Sequence, residues 1–257
     1  MPYLNIDGTN IHYQLHPENS GIDAKKVLYI HGTGCNGRVF ERHMKAMSEY
    51  TVAAIDLSGH GESEGKGYCG VVDHARVVAT FIEQMNWQGC VLAGHSLGGG
   101  IVIATAIYFG ELISGLILID TGARLRVAPA VIERAKKIAA GSHTETETRQ
   151  GFSDSTPQSI VDDLRRLIAD EDPQVTLKDW YADDSCDFLS RVSKIDIPSI
   201  AICGRDDQLT PLKYHEYLNT NMLDCKLSII DAAGHWPFVE RPAEFDQAVK
   251  NFLKTLR

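Results

Sequence analysis

Five short runs of mostly apolar residues recur along this chain, at Val27–Ile30, Thr51–Asp56, Cys90–Ala93, Gly115–Asp120 and Pro198–Cys203. None of them alternates polar with apolar. A strand that is apolar on both faces must be covered on both, which rules out a half-solvated sheet. Helical patterns separate or follow these runs, at Arg38–Glu49, Val71–Met85, Ile101–Ile107, near Leu212–Leu218 and at Ala243–Leu256. Strands that alternate with helices predict right-handed crossovers. The expected fold class is therefore α/β, a mostly parallel twisted sheet with helices on both faces. Two flanking features extend it. Tyr3–Ile6 and Ile11–Leu15 surround Asp7-Gly8-Thr9-Asn10 as an antiparallel hairpin, and Lys226–Ile230 reads as a further strand.

The rhythm stops after Asp120. Residues 121–192 carry helical patterns, clearest at Ala130–Ala140 and Gln158–Ala169, and no convincing strand. A polar stretch, Gly141–Thr148, lies between them. The expected organisation is a core of residues 1–120 and 193–257, interrupted by a helical lid over 121–192.

One strand-to-helix junction carries chemistry. Gly94-His95-Ser96-Leu97-Gly98 lies between the Cys90–Ala93 strand and the all-apolar Ile101–Ile107 helix. A serine hydroxyl attacks well only when a sharp turn projects it towards a base. Such a turn brings backbone so close that side chains at Gly94 and Gly98 would clash. The pattern is that of a nucleophile elbow, G-x-S-x-G.

Composition narrows the partners. The chain has 257 residues and a net charge of −9, with no basic block, which argues against nucleic acid or an anionic membrane. No basic segment precedes an apolar core at the amino terminus, and no apolar stretch has the length of a membrane span. The six cysteines are scattered without a C-x-x-C pair, and the ten histidines form no H-E-x-x-H. A cytoplasmic protein without a metal or other cofactor is expected, acting on a small molecule as a monomer or homodimer.

Four places together resemble the α/β-hydrolase superfamily across the whole chain. They are the Ser96 elbow, His31-Gly32-Thr33-Gly34, Gly204-Arg205-Asp206-Asp207-Gln208-Leu209-Thr210-Pro211 and Ala233-Gly234-His235-Trp236-Pro237-Phe238. Asp56-Leu57-Ser58-Gly59-His60-Gly61 is similar to another loop of that family, with Ser58 where arginine is common. The chain order Ser96, Asp207, His235 also matches the fold. The resemblance implies a serine esterase in which Ser96 is the nucleophile, His235 the base and Asp207 the orienting acid. The oxyanion would meet the backbone N–H groups of Thr33 and Leu97. A serine at the elbow disfavours branches that attack with aspartate.

Rivals stand beside these assignments. Asp206 adjoins Asp207, although spacing from Gly204 favours Asp207, and Asp120 ends a core strand where some relatives take their acid. His31, His60 and His95 are expected to shape loops, and Cys35 to line the pocket wall. Trp236, Phe238, Phe40, Leu125 and Trp180 are the expected substrate contacts. Arg124, at the base of the lid, would accept a carboxylate if it pointed inward. Carboxylic esters of small to medium acyl chains are the expected substrates. C–C bond, lactone, thioester and perhydrolase chemistry share the same groups, and a ligand receptor on this scaffold is the third alternative. Activity is expected on the alkaline side, falling as His235 protonates below about pH 6–7.

Overall fold

A computed structural model describes residues 2–16, 24–142 and 149–256. Most of the polar stretch expected between lid helices, residues 143–148, lies outside these. The chain begins with the hairpin β1 (Tyr3–Ile6) and β2 (Thr9–His16), followed by β3 (Lys26–Ile30), α1 (Glu41–Ala46), β4 (Thr51–Ile55) and α2 (Val71–Gln84). Next come β5 (Cys90–His95), α3 (Leu97–Tyr108) and β6 (Ile113–Ile119). Three helices follow without a strand, α4 (Pro129–Ala139), α5 (Gln158–Leu167) and α6 (Pro173–Ser185). The alternation resumes with β7 (Ser199–Gly204), α7 (Leu212–Asn221), β8 (Cys225–Ile230), α8 (Pro237–Glu240) and α9 (Pro242–Thr255).

The strands form one eight-stranded sheet in the order β1-β2-β4-β3-β5-β6-β7-β8. β1 and β2 are antiparallel to their neighbours, and every pair from β4 to β8 is parallel. Successive side chains on the central strands enter opposite cores. Leu28, Ile30, Leu116 and Leu118 pack with α2 and α3, whereas Val27, Tyr29, Ile117 and Ile119 pack with Phe40, Phe245 and α9. Both faces are buried, as the uninterrupted apolar runs require.

Register aligns the strand ends. Ile30 pairs with Gly94, Gly94 with Leu118, Ile119 with Ile202, and Gly204 with Ile230. The segments that follow β3, β5, β6, β7 and β8 therefore leave from one edge of the sheet, where open parallel sheets bind ligands.

The helix expected over Arg38–Glu49 is shorter. A 3₁₀ turn at Gly37–Phe40 precedes α1, and the Asn36 side chain accepts from the Arg38 N–H at its start. In the inserted region α6 is an additional helix, with Pro173 at its first position and Asp172 accepting from Gln174 N–H at 2.8 Å. The two ends of the insertion are tied together, because Leu125 N–H donates to Cys186 C=O and Phe188 N–H to Ala123 C=O. Among the described residues, no helix is long and apolar enough to cross a membrane.

Candidate active site

Ser96 stands between β5 and α3 with φ 54° and ψ −118°, a conformation L-residues rarely adopt. Its surroundings hold it there. Its N–H donates to Ile119 C=O at 3.0 Å, and its C=O accepts from Thr121 Oγ1 at 2.7 Å. A Cβ on Gly94 would run into the Gly98 carbonyl, and one on Gly98 into the Ile30 carbonyl. Backbone packing thus makes both glycines obligatory. Within the elbow Ser96 alone is half-exposed; its neighbours are buried.

Asp207 and His235 meet behind it. His235 Nδ1 lies 2.9 Å from Asp207 Oδ2, and both side chains are almost completely buried. The Asp207 carboxylate also accepts from Leu209 N–H (2.7 Å), Thr210 N–H (3.1 Å) and Thr210 Oγ1 (2.5 Å). Burial alone would favour its neutral form. The adjacent His235 and the Thr210 donors outweigh that and hold its pKa well below the usual carboxylate range. An anionic Asp207 fixes the proton of neutral His235 on Nδ1, leaving Nε2 as the acceptor. The His235 backbone is anchored as well, by its N–H to Gly151 C=O at 2.5 Å and by His95 Nε2 on its C=O at 2.8 Å.

The rival acids are placed elsewhere. Asp206 is exposed and accepts from Ser153 Oγ at 2.6 Å. Asp120 is fully buried, accepts from Gly204 N–H at 2.9 Å and has a carboxyl oxygen within 4.8 Å of one of Asp207. Burial and the negative charge of Asp207 push the Asp120 pKa well above the carboxylate range. Two adjacent buried carboxyls do not both ionise. Asp207, with its ring of donors, takes the charge, and Asp120 keeps its proton.

The loop after β3 is gripped by α6. Thr33 Oγ1 donates to Asp183 Oδ2 at 2.6 Å, and Gly34 N–H donates to Asp179 Oδ2 at 2.9 Å. Asp179 Oδ2 also lies 2.8 Å from His60 Nε2. Burial alone would lower the His60 pKa, yet Asp179 beside it raises it, so the contact favours the charged ring and joins the loop after β4 to α6. His31 serves the same loop as a neutral ring, donating from Nδ1 to Gly32 C=O and accepting from Leu57 N–H at Nε2. Among the described residues, neither the Thr33 nor the Leu97 N–H has an acceptor within the protein. Asp179 and Asp183 escaped the sequence reading. Their one trace is an i, i+4 pair of acids within a helix that also carries the buried Val175 and Ala182.

A cavity of about 430 Å³ opens over Ser96 and His235, with Thr33 at its margin. Of the expected substrate contacts, Leu125, Trp180 and Trp236 line it. Phe40 and Phe238 do not. Their rings pack against each other at 5.0 Å inside the core, because α8 turns Phe238 inward onto Phe245 while Trp236 stays at the surface of the cavity. Cys35 is likewise fully buried rather than part of the wall, and burial raises its thiol pKa. Arg124 faces away, 3.8 Å from Asp187, whereas Arg126 and Arg134 line the cavity.

Comparison with known proteins agrees with this architecture. A family model described as the alpha/beta hydrolase family matches residues 27–248. The 2-hydroxy-6-oxononadienedioate/2-hydroxy-6-oxononatrienedioate hydrolase of Burkholderia vietnamiensis is 26% identical, over 98% of this chain and 95% of its own. The pimeloyl-[acyl-carrier protein] methyl ester esterase of Neisseria meningitidis is 26% identical, over 90% of this chain and 93% of its own. A solved thermophilic esterase superposes with a TM-score of 0.83 at 28% identity, covering 98% of this chain and 96% of that one.

Proposed function

The chain belongs to the alpha/beta hydrolase family, and from that premise we propose that it is a serine esterase acting on carboxylic esters of small to medium acyl chains. Ser96 Oγ attacks the ester carbonyl while His235 Nε2 takes its proton, and Asp207 stabilises the imidazolium that forms. The oxyanion is received by the free N–H groups of Thr33 and Leu97. A donor aimed there before reaction contributes about 3 kcal/mol to the transition state. His235 returns the proton to the alcohol as it leaves. Water, activated by the same ring, then releases the acid from Ser96. Residues 121–192 act as the lid that shapes the acyl site.

The observation that carries this reading is Ser96 itself, in a left-handed turn at the base of a cavity shared with His235, whose Nδ1 is 2.9 Å from Asp207. The esterase neighbour at 28% identity and the methyl ester esterase relative support the choice of bond. Thioester, lactone and C–C hydrolysis would use the same groups, so they belong in the test. Treatment with a fluorophosphonate should label Ser96 in the native enzyme and nothing in S96A. A panel of p-nitrophenyl esters should then be cleaved with a preference for short to medium chains. Absence of labelling at Ser96 would sink the mechanism. Labelling with cleavage of thioesters or diketones but not esters would keep the mechanism and overturn the choice of bond.

A further inference from the structure

The charge of the cavity opposes the charge of the chain. The protein carries −9, yet the cavity over Ser96 is lined by two arginines, Arg126 and Arg134. Among the described residues neither guanidinium makes an ion pair. Two other cations of this region are engaged, Arg124 with Asp187 and Lys136 with Glu133. Arg134 is half-buried and Arg126 exposed, and among the described residues the one hydrogen bond of Arg134 is a long one to Gln150 at 3.5 Å. It projects from α4 one turn after Val131, which also lines the cavity.

Asp183 is the one acidic residue lining the cavity among those described. Burial pushes its pKa up to about 8, and the neighbouring acids Asp179 and Asp184 add to that against the Thr33 hydrogen bond. At neutral pH its protonated form predominates. Among the described residues the wall therefore presents two positive groups against one mostly neutral carboxyl. Leu125, Val127 and Val131 line the same cavity and add apolar surface to it.

We propose that Arg126 and Arg134 form a carboxylate subsite, so that the preferred substrates are half-esters whose acyl chain ends in a carboxylate beyond an apolar spacer. The inference deepens the esterase reading and rests on it for the word ester. The subsite itself is a binding claim. A guanidinium suits a carboxylate because its planar donors meet both oxygens, and the half-buried position of Arg134 strengthens that contact.

Two measurements on the intact protein test it. By titration calorimetry, adipate should bind the native enzyme, and its Kd should rise about tenfold or more in R126Q/R134Q. Kinetically, monoethyl adipate should be preferred over diethyl adipate. The double substitution should remove that preference through KM, leaving diethyl adipate within about twofold. Raising ionic strength should erode the preference in the native enzyme alone. Unchanged adipate affinity in the double variant, or an equal loss on both esters, would overturn the subsite. Fluorophosphonate labelling of Ser96 serves as the control for folding. Failure of labelling in the native protein strikes the esterase reading, whereas the calorimetric result judges the subsite without any turnover.

Discussion

The two walls of the cavity are held in place by different means. On the core side, Ser96, Asp207 and His235 sit on segments that leave β5, β7 and β8 at one edge of the sheet, and strand register sets their spacing. On the other side, Arg126 precedes α4, Arg134 projects from it, and Asp179 and Asp183 project from α6, the two acids tied by hydrogen bonds to Thr33, Gly34 and His60. A side chain at a strand end has little freedom to be elsewhere. A side chain on a lid helix depends on contacts that a few substitutions can rewrite. The core wall accordingly suits bond making and breaking, and the lid wall suits choice among substrates.

Removing chemistry from the core wall should have the largest effects. S96A should lower kcat on a p-nitrophenyl ester by about 10⁴-fold or more, and an activity that survived would break the comparison at its base. D207N should cost about 10³–10⁴-fold, since an amide no longer fixes the His235 tautomer. Its neighbours should behave quite differently. D206N changes an exposed group and should leave kcat within about twofold. D120N exchanges a neutral carboxyl for a neutral amide and should stay within about threefold. A loss in D120N comparable to that in D207N would mean that Asp120 carries the charge.

The core wall was readable in the sequence for a physical reason. Apolar runs report strands buried on both faces, and the glycines at 94 and 98 report backbone contact that admits no side chain. Both are local signatures of a global arrangement. Phe238 lies in the core, with Phe40 buried against it, because nearness in sequence to His235 does not set side-chain direction. Trp236 and Phe238 are two apart, and the turn of α8 sends one to the cavity and the other to the core. Asp179 was unreadable for another reason. Its partners, Gly34 and His60, lie more than a hundred residues away, and nothing local marks an acid that will be buried. The start of α6, by contrast, was there to be read in Asp172-Pro173.

The link between the walls can be cut at that acid. D179A removes the acceptor of Gly34 N–H and the counter-charge of the buried His60. Breaking a buried pair from one side costs about 3–5 kcal/mol, visible as a fall in Tm. Displacement of the Thr33 loop should reduce kcat by roughly tenfold to a hundredfold. A variant with native kcat would show that the core holds this loop without the lid.

A small effect on activity is also expected at Asp183, where the pH axis discriminates better than the rate. Its pKa in the folded protein is raised to about 8 by burial, whereas an exposed aspartate titrates near 4. Between these values the folded state holds a proton that the unfolded state has released. This group's contribution to stability is therefore fully present below about pH 4 and declines by about 1.4 kcal/mol per pH unit until the folded carboxyl ionises near pH 8. D183N keeps the acceptor for Thr33 Oγ1 and removes the titration. The Tm advantage of D183N over the native protein should accordingly grow from pH 5 to pH 8 and level off above that, with kcat on a neutral ester changed only a few-fold. The same ionisation places a negative charge beside Arg126 and Arg134. Preference for a half-ester should then weaken above pH 8 in the native enzyme and stay constant in D183N. A pH-independent difference in Tm between the two proteins would mean that Asp183 is already charged at neutral pH, and the lid wall would lose the electrostatic asymmetry that sets it apart from the core.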